Sequence, residues 1–321
     1  MSASILNLAG PPVGDLRERL GIILAAKYDL LSQIGAGGMS TIFLARHRGH
    51  NGLFAVKVLH PHLAQEAEIL ACFYREAIYA ARLAAHPHIA TVFDIGEVDG
   101  LHYLIMPWIR GEDLDQVLAR YGKVSLPETV RCVMQINDAL RYAHRNDVLH
   151  ADLTPGNVRL NEFGSCIVLD FGLARARSAS DARLFRKVRI GTPYYMSPEC
   201  ILDEGTDDRS DLYSLGVIFF ELITGKRPFE GATFTGVEQG HLSTPLMIPE
   251  ELSREYPRAA DLLQSLLQKS KADRPQSADH VHNLLQQLEI PPSTERIQPV
   301  LHGVEPQRRM RKRLLDQHEE G

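Results

Sequence analysis

The chain reads as an α+β protein, with strand patterns concentrated in its N-terminal third and helical patterns in the remainder. Three observations point there. Short runs of β-formers bounded by turn residues occupy 28–34, 41–45, 54–59 and 101–106. Val130, Val133, Met134, Ile136, Ala139, Leu140 and Ala143 repeat at helical spacing. Segment 211–222 is apolar almost all round, the pattern of a buried helix. With 321 residues, 44% hydrophobic and 23% charged, there is material for a large core. A net charge of −5 gives no general attraction to nucleic acid, so no nucleic-acid partner is expected. No apolar run is long enough for a transmembrane anchor, and Met1-Ser2-Ala3-Ser4 lacks the basic start of a secretory leader. Cys72, Cys132, Cys166 and Cys200 show no metal-like spacing. They read as reduced thiols of a cytoplasmic protein.

In chain order, residues 1–26 form an N-terminal extension, with one short helix expected over 15–20. Strand, Gly-rich turn and strand follow, the turn being Gly35-Ala36-Gly37-Gly38-Met39-Ser40. Glycine lets backbone N–H groups approach an anion. β-formers after the turn argue against a dinucleotide-binding turn, which would open a helix. Lys57 lies in the apolar strand 54–59, and a cation there needs a partner. The alternative is an edge-strand Lys pointing to water; Glu76 lies in a helical stretch from about 64 to 83 and alone would read as a surface charge. Residues 86–90 are expected to end that helix and open a strand running to Gly96. Asp99-Gly100 signals a hairpin turn into the strand 101–106. Asp113 begins a short helix, either as a favourable N-terminal charge or as an acceptor for a ligand. Pro127-Glu128 starts the long helix that delivers the chain to residue 150.

The stretch His150-Ala151-Asp152-Leu153-Thr154-Pro155-Gly156-Asn157 is a loop, since Pro155 removes a donor and biases Thr154 away from helix. Asp170-Phe171-Gly172 follows behind the apolar run Ile167-Val168-Leu169. Two oxygen ligands and a separate base are what metal-assisted phosphoryl transfer needs. With Gly35/Gly37, Lys57, Glu76, Ser197-Pro198-Glu199 and Asp211 in the same order, the chain resembles the protein kinase family, most closely bacterial eukaryotic-like serine/threonine kinases.

The resemblance covers about 28–290 and implies a two-lobed fold: a small β-rich N-lobe with one main helix at 28–106, a hinge at 107–111 and a larger α-helical C-lobe at 112–290. Residues 291–321 are left as a polar, basic tail. It implies transfer of phosphoryl from ATP to Ser/Thr hydroxyls of protein substrates, Mg²⁺ or Mn²⁺ as cofactor, and self-association for autophosphorylation. By position, Asp152 accepts the hydroxyl proton, and Asn157 and Asp170 hold the metal. Lys57, paired with Glu76, binds the phosphates. Ile34, Gly35, Ala36, Gly37, Gly38, Met39, Ser40, Ile42 and Ala55 enclose the nucleotide. Met106 is the gatekeeper, Trp108 lies in the hinge, and Asp113 faces the ribose. Arg159 underlies the adenine with its stem, its guanidinium reaching water. Asp211 holds the catalytic loop, His150 and Phe171 pack together, and Glu199 pairs with Arg274.

Two positions depart from the pattern: Ala151 replaces a common Arg, and Thr154 replaces a Lys near the γ-phosphate. They keep open a nucleotide-binding scaffold without transfer; a small-molecule phosphotransferase is the third reading. Ser178 and Ser180 are candidate phosphosites, Thr192 a candidate partner of Asp152, and Arg308-Arg309-Met310-Arg311-Lys312-Arg313 a solvated basic run.

Overall fold

The computed structural model describes residues 13–171, 175–176, 193–290, 297 and 299. The N-lobe is a five-stranded antiparallel sheet in the order β1-β2-β3-β5-β4. Its strands are β1 (Tyr28–Ala36), β2 (Ser40–His47), β3 (Leu53–Leu59), β4 (Asp94–Val98) and β5 (Leu101–Pro107). Successive side chains on a strand point to opposite faces, and paired residues share a face. Phe43, Val56 and Ile105 pair across the sheet and define one face; Ile42, Lys57 and Leu104 define the other.

Both faces are apolar, so both need a cover. The first takes helix α1 (Val13–Leu24), which buries Leu16, Leu20 and Leu24 against Tyr28, Phe43, Phe54 and Val56. The extension expected before residue 28 thus contains a longer helix than its sequence suggested, and that helix is part of the lobe's core. The second face takes α2 (Ala67–Arg82), whose Phe73 and Ala77 cluster with Leu59 and Leu104. Glu76 lies between those two contacts, on the same side of α2, and is buried.

The hairpin at Asp99 (φ 50°) and Gly100 (φ 72°) has the two left-handed residues of a tight two-residue turn. The expected strand from residue 86 does not form, and β4 begins only at Asp94. Residues 88–90 bond instead to the C-lobe: Ala90 N–H donates to Val168 O at 2.9 Å, and Val168 N–H to His88 O at 2.9 Å. Ile89, buried at this bridge, gains more from the interior than from a sheet edge.

The C-lobe carries α3 (Leu114–Tyr121), α4 (Leu126–Arg145), α5 (Pro198–Leu202), α6 (Asp208–Thr224), α7 (Phe234–Ser243), α8 (Glu250–Glu255), α9 (Pro257–Leu266) and α10 (Ala278–Gln286). Helix α6 is buried along most of its length and ends at Gly225, whose φ of 72° suits a residue without Cβ. Strand β7 (Val148–Leu149) precedes a small sheet of β6 (Gly111–Asp113), β8 (Val158–Asn161) and β9 (Cys166–Val168), whose ends carry Asn157 and Asp170. Arg274 donates from Nη1 and Nη2 to the two oxygens of Glu199, both at 2.8 Å, a buried fork that ties α5 to the segment after α9. Beyond residue 291 the chain is not wholly a solvated tail: Ile297 is buried and its N–H donates to Glu128 Oε2 at 3.1 Å. The basic run 308–313 lies outside the described residues. Among the described residues, no helix is long and apolar enough to cross a membrane.

Two outcomes follow for stability. Leu20→Ala should cost about 3 kcal/mol in denaturant unfolding, whereas Ile22→Ala, at a site 73% exposed, should stay within about 0.5 kcal/mol. His241 is buried beside the Tyr213 hydroxyl at 2.9 Å, and its pKa is pushed down to about 4 by burial and then by Lys269. Below pH about 6.5 the unfolded chain takes up a proton that the folded chain refuses. Stability should therefore fall as pH drops from that value toward 4, by up to about 3 kcal/mol from this residue. His241→Gln should flatten that dependence in unfolding curves recorded across the range.

Candidate active site

The β8–β9 hairpin brings two of the expected groups together. Val158 pairs with Val168, and Leu169 N–H continues the ladder by donating to Asn157 O at 2.8 Å. Asn157 and Asp170 therefore leave the hairpin at neighbouring points. Asn157 closes a 3-10 turn, its N–H donating to Thr154 O at 3.0 Å. Its Nδ2 donates to Asp152 O at 2.8 Å and approaches Asp152 Oδ2 at 3.3 Å. That leaves Oδ1 without a hydrogen bond among the described residues.

Ala151 (φ 62°) and Asp170 (φ 56°) both sit in the left-handed region, which residues with a Cβ adopt only under constraint. The constraint on Ala151 is Asp211. Its Oδ1 accepts from Ala151 N–H and its Oδ2 from His150 N–H, both at 2.9 Å, while His144 Nε2 lies 2.8 Å from Oδ2. Burial opposes charge on Asp211, but the His144 contact and the backbone donors outweigh it and hold the pKa low. His150 donates from Nε2 to Leu169 O at 3.0 Å and stacks at a tilt on Phe171, ring centroids 4.7 Å apart. Burial lowers the His150 pKa, so the ring is a neutral spacer between the two loops.

Lys57 enters from the N-lobe. Its Nζ donates to Glu76 Oε2 at 2.7 Å and to Asp170 Oδ2 at 2.8 Å. Burial works against its charge, but Asp170 and Glu76 prevail and raise its pKa. Glu76 is pushed up to about 7 by burial and then by Asp170, against the pull of Lys57. Asp152 is also pushed up to about 7, by burial and then by Asp170, against Asn157 and Lys57. One ammonium thus faces three carboxylates, and the cluster is short of positive charge. Two hard oxygen donors, from Asn157 and Asp170, stand beside that deficit. Mg²⁺ commonly takes only one or two protein oxygens and completes its shell with phosphate oxygens and water, so the residues fit such an ion.

The remaining expected positions fall as follows. Gly37 N–H donates to Ser40 O at 2.9 Å and closes the Gly-rich turn. Ile34, Ala36, Gly37 and Gly38 are exposed, Gly35 and Met39 half-buried, and Ser40 buried. Ile42, Ala55 and Met106 share the sheet face of Lys57. Trp108 N–H donates to Leu53 O at 3.1 Å. The Thr154 hydroxyl makes no hydrogen bond among the described residues. Asp113 caps α3 and also takes an ion pair, its Oδ1 accepting from Arg159 Nη1 at 2.6 Å. Burial raises the Asp113 pKa against that pairing. Arg159 differs from expectation. Its guanidinium is not in water but bonded to Asp113 and to the carbonyls of Ile109 (2.7 Å) and Gly111 (2.6 Å), because β8 lies directly against the hinge strand. Gly172, Ser178, Ser180 and Thr192 lie outside the described residues. Sequence reasoning missed His144, a helical residue with no local signal, and the direct Lys57–Asp170 bond, which joins residues 113 apart.

The protein kinase domain family matches residues 28–287. The chain belongs to the protein kinase family. It is similar to serine/threonine-protein kinase pkn3 of Myxococcus xanthus, 38% identical over 276 residues, which cover 83% of this chain and 50% of that protein. It is similar to serine/threonine-protein kinase PrkC of Bacillus subtilis, 31% identical over 242 residues, 75% of this chain and 37% of that protein. A probable serine/threonine-protein kinase PknB of Corynebacterium glutamicum is 33% identical over 269 residues, 81% of this chain and 42% of that protein. The chain spans half or less of the length of these curated relatives. The kinase match ends close to the last residue of α10.

Asp211→Asn removes one of the two acceptor oxygens that hold residues 150 and 151. It should lower stability by about 2 kcal/mol and speed amide hydrogen exchange at His150 and Ala151 relative to the rest of the C-lobe.

Proposed function

We propose that this kinase domain transfers the γ-phosphoryl group of ATP to Ser/Thr hydroxyls of protein substrates, including its own. The observation that carries the reading is the meeting of Lys57 with Glu76 and Asp170 at the end of the hairpin that also bears Asn157. Phosphoryl transfer has a loose transition state, so positioning and charge neutralisation supply most of the acceleration. Lys57 neutralises phosphate charge and is itself oriented by Glu76. Asp152 accepts a hydrogen bond from the attacking hydroxyl and later its proton, with Asn157 Nδ2 fixing the loop on which it sits. Asn157 and Asp170 would hold Mg²⁺, or Mn²⁺ of similar hardness, which supplies charge neutralisation at the phosphates. Autophosphorylation between copies requires at least transient self-association. A cytoplasmic setting suits ATP as donor and four cysteines joined by no disulfide.

Purified protein incubated with Mg²⁺ and γ-labelled ATP should incorporate label on Ser or Thr, mapped by mass spectrometry. Asp152→Asn should reduce incorporation by at least about a hundredfold while nucleotide binding persists. Nucleotide binding without any label transfer, with Mg²⁺ and Mn²⁺ both tried, would overturn the proposal.

A further inference from the structure

The Gly-rich turn holds Gly35, Gly37 and Gly38, and residues without Cβ have the most backbone freedom to lose on ordering. Its second half is fastened from outside by His60, the residue directly after β3 and three beyond Lys57. His60 N–H donates to Met39 O at 2.9 Å, one step past the pairing of Ser40 with Leu59 that ends the β2–β3 ladder. The ring then meets Thr41, its Nε2 lying 3.1 Å from Thr41 Oγ1. Thr41 pairs with Val58, on the sheet face opposite that of Ile42 and Lys57. The contact therefore braces the turn from behind, on the face away from Lys57. Thr41 is buried, and its hydroxyl makes no other hydrogen bond among the described residues. Burial and then His62, whose ring centroid is 5.7 Å away, lower the His60 pKa against the pull of the Gly38 carbonyl. At about pH 7 the ring is therefore neutral.

A turn that is already ordered loses less freedom when a ligand settles under it. We propose that His60 is a positioning residue for the phosphates of the nucleotide: through Thr41 and Met39 it fixes the Gly-rich turn to the end of β3, so that the turn and the Lys57 ammonium close on the same phosphates from fixed positions. This rests on the reading of the cleft as a nucleotide site. His60 acts through these two contacts, and its ring through Thr41 alone. A histidine that served only the packing of the lobe would add to stability and leave the response to phosphate unchanged.

The test is calorimetric titration of the whole chain with ADP and Mg²⁺ and, separately, with adenosine, beside steady-state kinetics with ATP. His60→Ala should weaken ADP binding and raise the KM for ATP by about fivefold, what one net hydrogen bond is worth, with kcat changed by less than about twofold. Adenosine, which carries no phosphate, should bind variant and unmodified protein alike, to within about twofold. Thr41→Val keeps the shape of the side chain and removes only the hydroxyl, so it should reproduce the loss. The double variant should bind ADP no more weakly than either single one, because both remove the same contact. His60→Gln, whose amide can meet the hydroxyl, should restore ADP affinity to within about twofold. ADP affinities in His60→Ala and Thr41→Val within about twofold of the unmodified value, with only the unfolding midpoints shifted, would overturn the proposal. So would equal weakening of ADP and adenosine, or additive losses in the double variant. Should His60→Ala fail to fold, Thr41→Val decides alone. Failure of the unmodified protein to bind ADP would remove the nucleotide reading, and this proposal with it.

Discussion

A single ammonium group, buried between carboxylates contributed by two lobes, is the interaction on which the site depends. Removing a charge from water is costly, and leaving it without a partner is costlier still. Glu76 on α2 and Asp170 after β9 both reach Lys57 and together keep it charged against burial. Strand β3, helix α2 and the C-lobe hairpin are thereby held to one arrangement. The cross-lobe bonds of residues 88 and 90 to Val168 act on the same hairpin, two residues before Asp170.

The C-lobe half of the site is held by a different means. Ala151 and Asp170 adopt backbone conformations that residues with a Cβ rarely take, and such conformations persist only where the surroundings over-determine them. For Ala151 the surroundings are Asp211, anchored in the buried helix α6 and backed by His144 from α4. The strain is local, and the support comes from the most deeply packed part of the molecule. The result is an acidic cleft in which burial and Asp170 push the pKa values of Asp152 and Glu76 up to about 7. An acidic cleft with one cation is poorly balanced by itself. It is well matched to a ligand that arrives with a divalent metal.

Much of this was legible from residues near one another in sequence. Helices α4 and α6, the hairpin turn at Asp99-Gly100 and the loop character of 150–157 follow from periodicity, proline and glycine, all of which act within a few residues. Lys57 in an apolar strand signalled the need for a partner, but Glu66, Glu68 and Glu76 all follow it, and the choice of Glu76 rested on the family resemblance. Other features gave no such signal. The role of α1 depends on the outer face of a sheet assembled from five later segments. The 86–90 stretch was expected to open a strand of the N-lobe, but its Ile89 instead bridges Val168 of β9. Arg159 looked like a charged end reaching solvent, and only the register of β6 on β8 puts carbonyls within its reach.

From the chain of letters alone came the identity of the chemical groups, their order, and the local conformations that glycine, proline and hydrophobic periodicity impose. Those are short-range properties, fixed by sterics and by which face of a helix or strand is apolar. Tertiary structure alone decided which distant groups make direct bonds unforeseen in the sequence: Lys57 with Asp170, His144 with Asp211, and Arg159 with the hinge carbonyls. Such pairings are set by strand register and helix packing, where a shift of one residue would turn each of these side chains away from its partner.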